Sequence, residues 1–210
     1  MKKILILGGN SDIGIKVIDK LIDSEDVSLY IHFNKNLPDR NFKNSKLIKK
    51  DLIKVNEKNV KKIFANDYDV IVNLIGYVSN QSFQNFTLEE IYKTTLINSF
   101  VPFLIIRNCL KNMEKKKYGR IINTSSIGVK FGGGKNTFSY SVSKHINEFI
   151  PNEIRKLCTK NVLYNVLRIG MTDTKFHKKI KNKNLARRTS LIPVKKMASA
   201  DDIANYIIFL

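Results

Sequence analysis

Six short apolar runs alternate with longer stretches of helical spacing, and that alternation constrains the fold more than any other feature. The runs are KKILILG (2–8), VSLYIHF (27–33), KLIKKDL (46–52), DVIVNLIG (69–76), GRIINTSS (119–126) and NVLYNVLRIG (161–170). Between them, 12–23 places Ile13, Val17, Ile18, Leu21 and Ile22 on one side of a helix. Further helical patterns cover 56–65, 87–116, 138–158 and 199–210, the one over 87–116 opening on a Thr87/Glu90 capping box. Strand alternating with helix predicts a parallel sheet covered by helices on both faces. Continuously apolar strands are what two covered faces require. The reading is α/β: a doubly wound parallel sheet of Rossmann type, forming a single domain over 1–210. In such sheets a ligand sits outside the carboxyl ends of the strands, so the residues just after each strand carry the functional information.

After the first strand comes Gly8-Gly9-Asn10-Ser11-Asp12-Ile13-Gly14. Glycines let a backbone turn tightly and approach a phosphate, and the next helix offers free N–H groups and the positive end of its dipole. Ser11 or Asp12 is the natural N-cap. Further along, Tyr140 and Lys144 stand four residues apart, on one face of a helix.

Taken in order, LGGNSDIG, VNLIG, INS, INTSS and YSVSK resemble the short-chain dehydrogenase/reductase family over nearly the whole chain. The first motif keeps Gly8 and Gly14, with Leu7 for the family's threonine and Asp12 for its middle glycine. Asn73-Leu74-Ile75-Gly76 stands for N-N-A-G. The resemblance implies a catalytic tetrad of Asn98, Ser126, Tyr140 and Lys144. Tyr140 would pass a proton to or from the substrate oxygen, Ser126 would place that oxygen, and Asn98 would hold a water linking Lys144 to solvent. A free tyrosine titrates near ~10, and the Lys144 charge is expected to lower that value. Ser126 is chosen over Ser125 because the family uses the later serine of the pair.

The same resemblance assigns cofactor contacts to Gly8, Asn10, Ser11, Asp12, Ile13, Gly14, Asp51, Leu52, Asn73, Ile75, Gly76, Tyr140, Lys144, Gly170, Thr172 and Thr174. The second strand ends His32-Phe33-Asn34-Lys35, without the acid that would bind a ribose 2′-hydroxyl. Lys35 is therefore expected to pair a 2′-phosphate and Asn34 to hydrogen-bond it, with Phe33 a further cofactor contact, making NADP(H) the preferred cofactor and NAD(H) the second choice. The implied reaction interconverts a carbonyl and a secondary alcohol. A nucleotide-sugar epimerase or dehydratase is the alternative enzyme, and a nicotinamide-sensing or nucleic-acid-binding protein the non-catalytic one.

Charge bears on the substrate. Lys and Arg number 37 against 18 Asp and Glu. Such an excess suits nucleic acid, an acidic carrier or an anionic substrate, or simply a solvated surface. The segment 171–198 reads as a substrate lid dense in cations, among them Lys175, Lys178, Lys179, Lys181, Lys183, Arg187 and Arg188. Arg168 is placed to point into the site. An anionic sugar-derived or carrier-bound acyl substrate follows, in the manner of surface-polysaccharide and flagellin-sugar enzymes or 3-oxoacyl-carrier-protein reductases. Nucleic acid is disfavoured, and a homodimer or homotetramer is the family's default.

His32, His145 and His177 show no metal-ligand spacing, and His177 is the one placed for a substrate contact. Cys109 and Cys158 are read as free buried thiols of a reducing compartment. The short apolar start is not a signal peptide, and no stretch spans a bilayer, so a cytoplasmic protein is expected. Three departures are noted. A stub replaces the helix between strands two and three, near Pro38. Pro151 kinks the helix carrying Tyr140. The family's seventh strand is missing after Leu210.

Overall fold

The structure is a computed structural model that describes residues 1–36, 42 and 45–210. In chain order the elements are β1 (Lys2–Leu7), α1 (Asp12–Leu21), β2 (Val27–Phe33), β3 (Ser45–Lys49), α2 (Val60–Ile63), β4 (Val70–Asn73), α3 (Leu88–Thr95), α4 (Val101–Lys116), β5 (Gly119–Ser126), α5 (Phe138–Ile146), α6 (Asn152–Lys156), β6 (Val162–Ile169), α7 (Leu185–Ser190) and α8 (Ala200–Phe209). The strands form one sheet in the order β3-β2-β1-β4-β5-β6, and every pairing is parallel. The order reverses between β1 and β4, and the two halves grow outward from there. That reversal opens a crevice at the carboxyl ends of the strands.

Side-chain alternation along a strand divides the core in two. Leu5 and Leu7 point to the face covered by α4, packing near Ile71, Val101, Ile105, Met113 and Ile121. Ile4 and Ile6 point to the other face, packing with Val17 and Ile18 of α1 and Ala204 and Ile207 of α8. Both faces of β1 are covered, which explains its unbroken apolar run.

Two long helices expected from the sequence are interrupted. The pattern over 87–116 divides at a wider turn, Leu96–Phe100, where the Val101 N–H reaches the Leu96 carbonyl five residues back. Pro102 has no N–H to offer the Asn98 carbonyl. That carbonyl instead accepts from Asn147 Nδ2 at 3.2 Å. Thr87 does cap this helix, its hydroxyl accepting from the Glu90 N–H, but the Glu90 carboxylate goes to Tyr77 Oη and Lys93 rather than completing a capping box.

The pattern over 138–158 is broken rather than kinked. Proline drives the residue before it out of the helical region. α5 therefore stops at Ile146, and Pro151 becomes the N-cap of α6. The helix over 56–65 shrinks to the single turn α2. The stub expected near Pro38 lies outside the described residues. Cys109 is buried, whereas Cys158 is exposed, contrary to expectation, because it sits in the turn after α6 rather than inside a long helix. Among the described residues no helix is long and apolar enough to cross a membrane.

Candidate functional site

The loop after β1 is shaped by its lack of side chains. Gly8 adopts φ +78°, and a Cβ there would lie 3.1 Å from the Leu74 carbonyl oxygen. A Cβ on Gly14 would lie 2.8 Å from Gly8 and Gly9 backbone atoms, so α1 starts directly against the loop. Ser11 locks the turn: its hydroxyl accepts from the Gly14 N–H (3.1 Å) and donates to the Gly8 carbonyl (2.8 Å). Asn10 Nδ2 donates to the Asn36 carbonyl after β2. His32 joins three strand ends. Its Nδ1 accepts from the Gly8 N–H and its Nε2 donates to the Lys50 carbonyl, while burial holds its pKa below the usual value. This bare loop, at a helix N-terminus in the crevice, fits the diphosphate of a dinucleotide.

Asp12 is not the cap. Its Oδ2 accepts from the Lys175 N–H at 2.6 Å and so ties the segment after β6 to the glycine loop. Other ties close the same segment over the crevice. Asn80 Nδ2 donates to the Lys179 carbonyl and its Oδ1 accepts from the Lys181 N–H. Asn136 Nδ2 donates to the Lys181 carbonyl. At its base, Thr172 bridges to Ala198. The lid thus carries a helical turn at Lys175–Lys179 and α7.

Lys144 is buried beneath this cover. Its Nζ donates to the Ile75 carbonyl (2.8 Å), the Thr124 carbonyl (2.9 Å) and the Thr124 hydroxyl (3.2 Å). The Thr124 hydroxyl donates in turn to the Asn73 carbonyl. Tyr140 stands one turn earlier, with Lys144 Nζ 5.9 Å from its ring centroid. Burial pushes the Tyr140 phenol up to about 12, a rise opposed by its hydrogen bond to Ser126. Burial pushes Lys144 down to about 7. The sequence-based expectation that Lys144 would depress the phenol is not met. The ammonium is directed to three oxygens rather than to the phenol, and loss of hydration governs both groups.

Asn98 is fully buried and reaches the crevice only through its neighbours. The Tyr77 N–H donates to its Oδ1 (2.7 Å), and its Nδ2 donates to the Tyr77 carbonyl and the Ser143 hydroxyl, both at 2.9 Å. It fixes the backbone after β4 against α5. The strand register separates the two serines. Ser125 faces Glu148 and the Lys144 carbonyl, while Ser126 faces Tyr140.

Of the expected cofactor contacts, Gly8, Asn10, Ser11, Asp12, Ile13, Asn34, Asp51, Leu52, Ile75, Gly76, Gly170, Thr172 and Thr174 line one crevice of about 1880 Å³ with Ser126, Tyr140 and Lys144. Gly14 acts behind the loop. Three others fall outside. Phe33 is buried in the core, and Lys35 is exposed beyond the lining. Asn73 turns inward, its Nδ2 donating to Asn123 Oδ1 and its Oδ1 accepting from the Ile75 N–H. Arg168 does not enter the site either. It pairs with Ser125 in the register, on the face opposite Ser126, and both its Nε and Nη2 are held by Glu148.

Phe176 escaped the sequence reading. Its ring lies 5.4 Å from that of Tyr140 and against Gly76, closing the crevice over the phenol. An aromatic residue alone among the lysines of TKFHKK was the available signal. Among the described residues no cluster suited to a metal ion occurs.

Residues 49–210 match the family described as enoyl-(acyl carrier protein) reductase. The chain is 28% identical over 163 residues to 3-oxoacyl-[acyl-carrier-protein] reductase FabG of Aquifex aeolicus, covering 74% of this chain and 65% of that protein. The matched stretch thus spans just under two thirds of that relative's length. It is 27% identical over 224 residues to the 3alpha-hydroxysteroid dehydrogenase of Mediterraneibacter gnavus, covering 100% of this chain and 89% of that one. Among solved structures, ElxO with NADP bound superposes with a TM-score of 0.83 at 23% identity, covering 100% of this chain and 90% of that one.

Proposed function

The chain belongs to the short-chain dehydrogenase/reductase family, and from that premise we propose that it is an NADP(H)-dependent oxidoreductase interconverting a carbonyl and a secondary alcohol. One observation carries the reading: Tyr140, Ser126 and the buried Lys144, one turn from Tyr140, line the same crevice as the bare loop of β1. A binding module has no need of that trio.

A bound nicotinamide dinucleotide supplies the hydride chemistry. The residues that would hold it are the Gly8–Gly14 loop, Asn34, Asp51, Leu52, Ile75, Gly76, Thr172 and Thr174. With no acid at the end of β2, Asn34 in the crevice lining accommodates a 2′-phosphate. NADP bound to the structural relative ElxO, at 23% identity, supports the same choice.

In reduction, Tyr140 Oη–H gives its proton to the carbonyl oxygen as negative charge develops there. The Ser126 hydroxyl orients that oxygen. A phenol held near 12 carries its proton at neutral pH, so the proton is in place for the reductive direction. Lys144, balanced near neutrality by burial, brings positive charge beside the ring when the phenolate forms. Phe176 and the tied lid exclude water from this exchange. The lid's lysines favour an anionic substrate, sugar-derived or carrier-bound. Exposed Leu88, Tyr92 and Phe100 near α3 support assembly into a homo-oligomer.

Thermal-shift titration with NADPH and NADH side by side tests the cofactor. NADPH at roughly 100 times its dissociation constant should add about 2.7 kcal/mol. Tyr140→Phe tests the chemistry: turnover of a carbonyl substrate should fall about 10²–10⁴-fold with NADPH affinity kept. Unchanged turnover would remove Tyr140 from the mechanism.

A further inference from the structure

Two cations and a histidine of the lid meet on its crevice side. Lys183 Nζ lies 2.7 Å from His177 Nδ1. A lysine donates there, so the imidazole accepts at Nδ1 and carries its own proton on Nε2. That Nε2 is buried and makes no hydrogen bond among the described residues. Arg188 reaches across to the segment after β5. Its Nη2 lies 2.6 Å from where a Cβ on Gly134 would stand, so the glycine makes room for the guanidinium.

Like charges do not gather without cause. None of the ion pairs among the described residues engages Lys183 or Arg188. Asp173 is the acid that faces His177, and the Thr172 backbone also favours its charged form. Burial, with Arg188 beside it, draws Lys183 down to about 8. Burial, Lys183 and Arg188 likewise hold His177 below its usual range. Each group is poised to take full charge once an anion arrives. A guanidinium fork, an ammonium and an imidazole N–H are together the donors that a carboxylate or phosphate requires.

Place fixes the ligand. His177 follows Phe176, whose ring touches both His177 (6.2 Å) and Tyr140 (5.4 Å). The cluster therefore sits one aromatic ring from the phenol. Gly134 belongs to the β5–α5 connection, on the opposite side of the switch point from Asn34 and Asp51, where the adenosine end would lie. We propose that His177, Lys183 and Arg188 form a subsite for a carboxylate or phosphate ester on the carbonyl substrate, separate from the phosphate sites of the cofactor. The subsite rests on the dehydrogenase reading and gives its substrate a chemical class.

The test is chemical protection of Lys183 in the full chain. Limited acetylation is read by peptide mass spectrometry, with the exposed Lys61 as reference, alone and at saturating NADPH. The probes are malonate, inorganic phosphate and the neutral malonamide. Malonate or phosphate should protect Lys183 but not Lys61, and malonamide should protect neither. The stronger of the two anions identifies the arm as carboxylate or phosphate. Arg188→Met and His177→Asn should each raise the protecting concentration roughly tenfold, the loss of one charge-assisted contact, without altering the thermal melt. Equal protection by malonamide, protection by NADPH alone, or none by either anion would overturn the subsite. NADPH binding is followed separately by its fluorescence, so failure of the dehydrogenase reading is distinguished from failure of the subsite.

Discussion

At the scale of single residues, Lys144 carries the sharpest consequence. Unfolded, it titrates at its ordinary value of 10.5; folded, at about 7. Between those values the unfolded chain binds more protons than the folded one, so the Lys144 contribution to stability rises with pH across that window. Below about 7 both states are protonated, and the cost of burying the charge is borne in full. Tyr140 acts in the opposite sense above pH 10, where the unfolded phenol ionises before the folded one and stability declines. Urea melts of the wild type and of Lys144→Met at pH 7 and pH 10 measure this, the variant lacking the rise. Equal slopes in both would mean that Lys144 stays charged in the folded protein. The pair was legible in the sequence because its spacing is local. Its titration was not, because the three oxygens that receive Lys144 come from the loop after β4 and from β5.

At the scale of elements, prolines decided where sequence periodicity failed. Apolar spacing runs unbroken through 87–116 and 138–158, but spacing carries no information about a missing N–H. Pro102 strips the Asn98 carbonyl of its helical donor, Pro151 stops α5, and Asn147, just past that stop, supplies the replacement. The two interruptions are coupled through one side chain, which also donates to the Thr124 carbonyl beside Lys144. Asn147→Ala would leave the Asn98 carbonyl buried without a donor. The expected cost is about 1–3 kcal/mol in a urea melt with an unchanged m-value. No loss would mean that the wide turn does not depend on Asn147. Strands read more easily: all six were located, the inner ones because a doubly covered strand is apolar throughout, although β4 is only Val70–Asn73 and the edge strands β3 and β6 are largely uncovered.

At the scale of the molecule, the doubly wound sheet and the place of the site followed from element order, because a parallel sheet with a reversal offers one crevice. Most contacts named from local motifs line it. Phe33, Lys35, Asn73 and Arg168 do not: Phe33 lies in the core, Lys35 is exposed after β2, and Asn73 and Arg168 are held by partners that sequence order conceals. The lid was located from its lysines, yet those side chains do not anchor it. Asp12, Asn80 and Asn136 hold backbone groups of Lys175, Lys179 and Lys181, groups every residue possesses. Grip and hinge are therefore separate. In roughly 1 M salt, where charges are screened beyond about 3 Å, amide exchange across 175–190 should match that at low salt, while an anionic substrate's KM rises. Faster exchange at high salt would show that charge holds the lid closed. A cover fastened by its main chain leaves its side chains free to vary, so its preference can be rewritten residue by residue while its position stays fixed.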